Sequence, residues 1–271
     1  MSIRMLISDV DGTLLRPDKS VSAGSRAAIN KARSCGVRFT VISGRPPLGL
    51  QFLVDALELT EPIAALNGAM IVWPNLSLLQ ATTIEPVVAA EVAKIIQQHG
   101  LELWLYTINN WLVSDLQSPR VRHEVAVVHH EPSLIPAGGV FPHSITKVLG
   151  VSDDHPLVQR CEKAVLEKFS HQVAASRSQP HYLDVTAPEA DKGFGASSLA
   201  RIVGIGLESV AVIGDGPNDI PMFQKAALSV AMGNADEAVR RAAQYTTDTN
   251  LDDGFARGVD RFVLPAAGRR I

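Results

Sequence analysis

The chain has 271 residues, 46% hydrophobic and 20% charged, with 25 Lys and Arg against 28 Asp and Glu and a formal net charge of −3. That composition is ordinary for a globular protein and argues against disorder, and the length suits one large or two modest domains. So small a negative charge gives no general attraction to nucleic acid or to an anionic membrane, so an anionic ligand would need a local site.

In chain order, the apolar run at residues 5–7 reads as a buried strand opening at Asp9 into a loop, with Gly12-Thr13 as the turn. Ser22 is placed to cap a helix that runs to Cys35, with Gly36 as its stop. Residues 37–42 and 63–66 read as further strands, ending in Ser43-Gly44-Arg45 and Asn67-Gly68, with a helix over 46–57 between them. Late in the chain a helix over 192–203 precedes strands at 210–213 and 228–232, which end in Gly214-Asp215 and Gly233-Asn234. Such alternation predicts a parallel sheet covered on both faces, with polar residues collected at the carboxyl ends of the strands.

The middle differs. It reads as a helix over 86–98, strands at 101–106 and 111–114, and a helix over 120–129. A strand at 146–151, a helix over 156–169 and strands at 172–175 and 182–186 follow. Paired strands with flanking helices predict a separate α+β layer inserted into the first unit. The expected fold class is therefore α/β, a doubly wound parallel-sheet core from residues 1–82 and 188–271 with an inserted α+β cap at 83–187. Cys35 and Cys161 lie far apart without metal-ligand spacing, which favours a reducing compartment. The acidic strand end comes within about ten residues of the start, leaving no room for a signal peptide, and no apolar run approaches spanning length. The expectation is a cytoplasmic protein without a membrane partner.

Asp9 and Asp11 place two carboxylates at one strand end, where like charges repel unless a cation lies beside them. Hard oxygen donors with few soft ligands suggest magnesium. Asp9 is a candidate nucleophile towards phosphorus, and Asp11 a candidate general acid and base. Asp215 adds a distant carboxylate that a bridging ion would reconcile with the first pair. Ser43 and backbone amides near Gly12 and Gly44 offer hydrogen bonds to phosphate oxygens, and Lys192 offers a cation to developing negative charge.

Together these segments resemble the haloacid dehalogenase superfamily, in particular its Cof-like phosphatase branch with a type IIB cap. The motifs stand in family order as Asp9-Val10-Asp11-Gly12-Thr13, Ser43-Gly44-Arg45, Lys192 in Asp191-Lys192-Gly193, and Gly214-Asp215-Gly216-Pro217-Asn218-Asp219. Ala231-Met232-Gly233-Asn234-Ala235 and Asp252-Asp253-Gly254 also look like that branch. The resemblance implies that Asp9 is phosphorylated and that Asp11 is the acid and base, with its backbone carbonyl on magnesium. It further implies that Asp9 and Asp215 ligate the ion by their side chains, that Ser43 and Lys192 hold the phosphoryl group, and that Asn218 and Asp219 support metal or phosphate. Asn67-Gly68 would border the substrate, unless it is a plain turn. Arg45 reads equally as a substrate contact or a surface ion-pair partner.

The expected substrate is a small phosphate ester, a sugar phosphate first. Alternatives are a phosphomutase of the phosphomannomutase type, a nucleotide or cofactor phosphatase acting for instance on pyridoxal phosphate, and a non-catalytic regulatory protein. The oligomeric state is unknown from sequence. The histidines gather in the insert, His129-His130 among them, without the companions of a second metal site, and read as solvated or hydrogen-bonded. Trp73, Trp104 and Trp111 read as packing rather than as a sugar-stacking surface, and Arg269-Arg270 as a solvated tail.

Overall fold

The structure is a computed structural model that describes residues 2–128, 130–136 and 141–268. Its centre is a five-stranded parallel sheet in the spatial order Tyr245–Thr246, Leu228–Ala231, Val210–Gly214, Met5–Ser8, Arg38–Val41. Alternation along the central strands feeds two cores. Leu6, Ala211 and Ile213 pack on one face with Ile29, Phe39 and Phe255, while Met5, Ile7, Val210 and Val212 pack on the other with Leu199, Met222 and Phe223. Every residue of Met5–Ser8 and Val210–Gly214 is buried, as parallel strands covered on both sides require. The helix Ala23–Ser34 begins where its cap predicts, with the Ser22 hydroxyl accepting from the Ser25 amide at 2.9 Å.

The run at 63–66 differs from its expectation. It joins the parallel sheet by a single bridge, Ile42 to Ala64, and otherwise starts an antiparallel three-stranded sheet of Ile63–Ala65, Met70–Val72 and Leu78–Ala81. The cause lies at Leu66, Asn67 and Gly68, whose φ angles of 51°, 58° and 97° are all left-handed and turn the chain straight back. The predicted helix over 46–57 opens instead as a 3₁₀ turn, Pro47–Leu50, before the α-helix Gln51–Leu57. Pro46 and Pro47 supply no amide there.

The insert builds a six-stranded sheet in the order Ala174–Gln179, Tyr182–Thr186, Ile145–Val151, Glu102–Thr107, Trp111–Val113, Ser133–Leu134. Pairing is antiparallel except between the last two strands. Helices Pro86–Gln98 and His155–Phe169 pack on this sheet, while Pro119–Val128 reaches the Pro47–Leu50 turn of the core. The strand expected at 172–175 lies at Ala174–Gln179, where an irregular register between Ser176 and Gln179 and a run of polar residues hide the alternation. Trp104 and Trp111 meet edge to face at 5.3 Å in the core, whereas Trp73 is 41% exposed. His129 and Arg269-Arg270 lie outside the described residues. Among the described residues no helix is long and apolar enough to cross a membrane. The fold class is the expected one, an α/β core carrying an inserted α+β cap.

Candidate active site

The carboxyl ends of Met5–Ser8, Arg38–Val41 and Val210–Gly214 and the start of the helix Lys192–Ile202 converge, as an open parallel sheet predicts. Asp191 caps that helix through the Phe194 amide at 2.7 Å, which fixes Lys192 at the first helical position. The Lys192 ammonium, buried, donates to Asp9 Oδ1 at 2.5 Å and to Asp219 Oδ1 at 2.7 Å. Asp219 is held from behind, its Oδ2 accepting from the amides of Asp215 at 2.9 Å and Gly216 at 2.8 Å. Asp215 Oδ1 accepts from the Thr13 hydroxyl at 2.6 Å.

Burial pushes the Asp9 carboxyl well above its usual range, Lys192 opposes this, and the charges of Asp219 and Asp215 reinforce it. Burial and then Asp219 push Asp215 up to about 6. Lys192 is raised because its two carboxylate partners outweigh a burial that acts to lower it. One carboxylate oxygen from each of Asp9, Asp215 and Asp219 lies within 4.8 Å of the others. Three hard-oxygen groups sharing a single ammonium carry surplus negative charge in a buried place, and a divalent cation such as magnesium fits that donor set.

Asp11 points elsewhere. Its carboxylate takes Arg45 Nε at 2.6 Å and Nη2 at 2.8 Å in a two-pronged clamp, and Lys19 Nζ at 2.7 Å. Burial acts to raise its pKa, but Arg45 and Lys19 outweigh burial and hold it at about 2. Arg45 is thus neither a surface residue nor free: it is buried, and its guanidinium lies 5.4 Å from the Phe52 ring centroid.

Backbone and amide groups complete the arrangement. Gly12 has φ +84°, and a Cβ there would overlap the Asp215 carboxylate, so glycine lets the first loop approach the fourth. Ser43 is buried, its hydroxyl accepting from the Arg45 amide at 3.1 Å, and Gly44 follows it on the cavity wall. Asn67 is buried behind the wall, where its Oδ1 accepts from Asn218 Nδ2 at 3.1 Å and orients Asn218 towards the cavity.

Asp9, Asp11, Ser43, Lys192, Asp215 and Asn218 line one cavity of about 190 Å³ together with residues of the insert. Sequence reasoning missed three kinds of contributor. Lys19 follows the first motif and has left-handed backbone, φ 64°, which brings it back onto Asp11. Asn234 donates to the Gly12 carbonyl at 3.0 Å and to Asp215 Oδ2 at 3.3 Å, a role signalled by its Gly-Asn loop at a strand end. From the insert come Lys147, Glu124 and Tyr182; Lys147 alone carries a local signal, a charge beside the apolar Val148-Leu149, while Glu124 and Tyr182 each follow a histidine and have none.

A family model described as haloacid dehalogenase-like hydrolase matches residues 6–259. A presumed phosphatase of Haemophilus influenzae is 30% identical over 257 residues, covering 94% of this chain and 97% of the relative. The 5-amino-6-(5-phospho-D-ribitylamino)uracil phosphatase YcsE of Bacillus subtilis is 27% identical over 273 residues, 97% of each. The subclass IIB sugar phosphatase BT4131 superposes with a TM-score of 0.82 at 25% identity, over 96% of this chain and 98% of its own. With a match that runs through all four loops of the cavity, the chain belongs to the haloacid dehalogenase-like hydrolases, among the phosphatases of that family.

Proposed function

We propose that the protein is a magnesium-dependent phosphatase that hydrolyses a small phosphorylated metabolite, a sugar phosphate first, through a phosphoaspartate on Asp9. The observation that carries the reading is the buried lysine bridge: Lys192 holds Asp9 and Asp219 together on the cavity floor, with Asp215 alongside. A nucleophilic carboxylate needs a fixed orientation and a cation near the phosphoryl oxygens, and this bridge supplies both. A magnesium ion held by the side chains of Asp9 and Asp215, with Asp219 supporting and the Asp11 carbonyl contributing, would add positive charge at the phosphoryl oxygens.

In the first transfer a carboxylate oxygen of Asp9 attacks phosphorus and the ester oxygen departs with a proton from Asp11. In the second, Asp11 takes a proton from water, which attacks the same phosphorus and returns Asp9 as a carboxylate with inorganic phosphate. Asp11 is an anion while Arg45 and Lys19 clamp it, so the first transfer requires a phosphate that competes for those two cations and lets Asp11 take up from water the proton that the ester oxygen then carries off. The Ser43 hydroxyl and the amides of Gly12 and Gly44 hold the phosphoryl oxygens, Lys192 balances their charge, and Asn218, set by Asn67, faces them. The insert, with boundaries placed at 83 and 187, acts as the cap that excludes water and selects the leaving group. The unpaired Cys35 and Cys161 suit a reducing, cytoplasmic setting. A hydroxylated leaving group is favoured because the substrate named for YcsE carries its phosphate on a ribityl chain and BT4131 is a sugar phosphatase.

The test is release of inorganic phosphate from sugar, nucleotide and cofactor phosphates, with magnesium and with a chelator, by the wild type and by folded Asp9→Asn. The expected result is cation-dependent release by the wild type alone. Equal release in chelator, or by Asp9→Asn, overturns the proposal.

A further inference from the structure

Opposite the aspartate cluster, the insert sheet turns one face to the cavity, and two charges stand on it. Lys147 lies on Ile145–Val151 and Asp184 on the neighbouring strand Tyr182–Thr186, where Asp184 is in register with Leu149. Lys147 and Asp184 are therefore diagonal neighbours on one face of the sheet, and they form an ion pair with side chains 5% and 1% exposed. Asp184 Oδ2 is also taken, accepting from the Ser178 amide at 3.2 Å and from its hydroxyl. The Lys147 ammonium reaches the Gly44 carbonyl in the core at 3.3 Å and lies 5.5 Å from the Tyr106 ring centroid. Lys147 lines the cavity that Asp9 and Lys192 floor.

A second carboxylate stands on the same wall. Glu124 accepts from the Tyr182 hydroxyl at 2.9 Å, and both line the cavity. The other ionisable groups on this wall are His123 and His181, the latter held below its ordinary pKa by burial and then by Arg120, His155 and His123. Arg120 itself pairs with Asp153. On the insert's side of the cavity the lining ammonium of Lys147 is thus neutralised by Asp184 buried behind it, Glu124 adds a carboxylate to the lining, and among the described residues of that wall no cation is left unpaired. A neutral hydroxyl can accept from Lys147 and donate to Glu124. A second phosphate would meet an ammonium already neutralised and a carboxylate it repels.

We propose that Asp184, by neutralising Lys147, is the residue that excludes esters bearing a second anionic group on the leaving group, and so sets specificity for monophosphates of hydroxylated compounds. This rests on the phosphatase reading and names the determinant within it. Specificity here arises by repulsion as much as by attraction.

The test compares kcat/KM for a hexose 6-phosphate and the corresponding hexose bisphosphate, at about pH 8 where an imidazole is neutral, in the magnesium-loaded enzyme. The wild type should prefer the monophosphate. Asp184→Asn keeps an acceptor for Ser178 yet frees the ammonium, and should raise the bisphosphate-to-monophosphate ratio by about tenfold. Adding Lys147→Met to that variant should abolish the gain, which a merely structural effect of either substitution would not reproduce. Glu124→Gln, in the other carboxylate of the wall, should move the ratio in the same direction and serves if Asp184→Asn does not fold. A wild type that prefers the bisphosphate, or variants that change both substrates in equal proportion, overturns the inference while the phosphatase reading stands. Absence of phosphate release from every ester by the wild type overturns both.

Discussion

Replacing Lys192 by methionine keeps the length of the side chain and removes the one ammonium shared by Asp9 and Asp219. Two buried carboxylates are then left facing each other with Asp215 beside them. Removing one partner of a buried ion pair costs about 3–5 kcal/mol, and Lys192 is only 2% exposed, so the upper part of that range applies with little screening. For a chain of this size the loss corresponds to a fall in Tm of roughly 2–4 °C per kcal/mol. The loss should depend on pH. The Asp9 pKa is raised in the folded state above its ordinary 3.8, so its burial costs increasing stability as pH rises from that value towards the folded pKa. Loss of Lys192 raises it further, and the deficit of the variant therefore grows from weakly acidic to neutral pH. The raised pKa of Lys192 contributes stability that is fully present below its ordinary 10.5, so it adds no slope in that window. Urea unfolding of both proteins in chelator, at about pH 4.5 and about pH 7.5, measures the difference. A deficit below about 1 kcal/mol at neutral pH, or one that does not shrink on acidification, would refute the electrostatic account of the cluster.

Other consequences follow from single features of the site. Gly12→Ala puts a Cβ against the Asp215 carboxylate at a φ of +84°; it should cost about 1–2 kcal/mol of stability, with turnover falling by more than about tenfold, and unchanged kcat would contradict it. Because Asp215 titrates at about 6, protons compete with a divalent cation below that pH. Stabilisation of the protein by added magnesium should therefore weaken as pH falls through about 6 and level off above it, and a flat response across that range counts against Asp215 as a ligand. Burial pushes the Cys161 thiol up to about 11, whereas Cys35 is exposed. Alkylation of the native protein near neutral pH should label Cys35 alone, since the neutral thiol is inert, and labelling of both requires an opening of the insert core.

The parts of the site that lie at strand ends were legible in the sequence, because a β-branched or apolar run stopping at an acidic or Gly-rich pair has few other readings. Asp9, Ser43 and Asp215 stand at such strand ends in the structure, and the Ser22 cap places the first helix to within a residue. The bond between Lys192 and Asp9 spans 183 positions and no local pattern announces it; only the resemblance to a family linked them. Asp11 reads from sequence as a proton carrier, but its clamp by Arg45 and Lys19 has no local signature: Arg45 lies 34 positions away, and Lys19 reaches back through its own left-handed backbone. The hairpin after Ile63–Ala65 was hidden because its strands are three and four residues long, too short to show a period. The cavity wall contributed by the insert was equally obscure. Lys147 stands between Thr146 and Val148, and Asp184 between Leu183 and Val185, so each taken alone is a charge interrupting a strand with no partner in its own segment. Read as a pair, two charges buried in neighbouring strands imply one another.

The central claim is that Asp9 carries the phosphoryl group, and acid-quenched mass spectrometry during turnover tests it most directly. With a substrate found in the ester screen, the account predicts a single phosphoryl adduct that maps to the peptide holding Asp9, is lost in base, and is absent from Asp9→Asn. Sustained phosphate release with no adduct on that peptide, together with turnover by Asp9→Asn close to wild type, would contradict it.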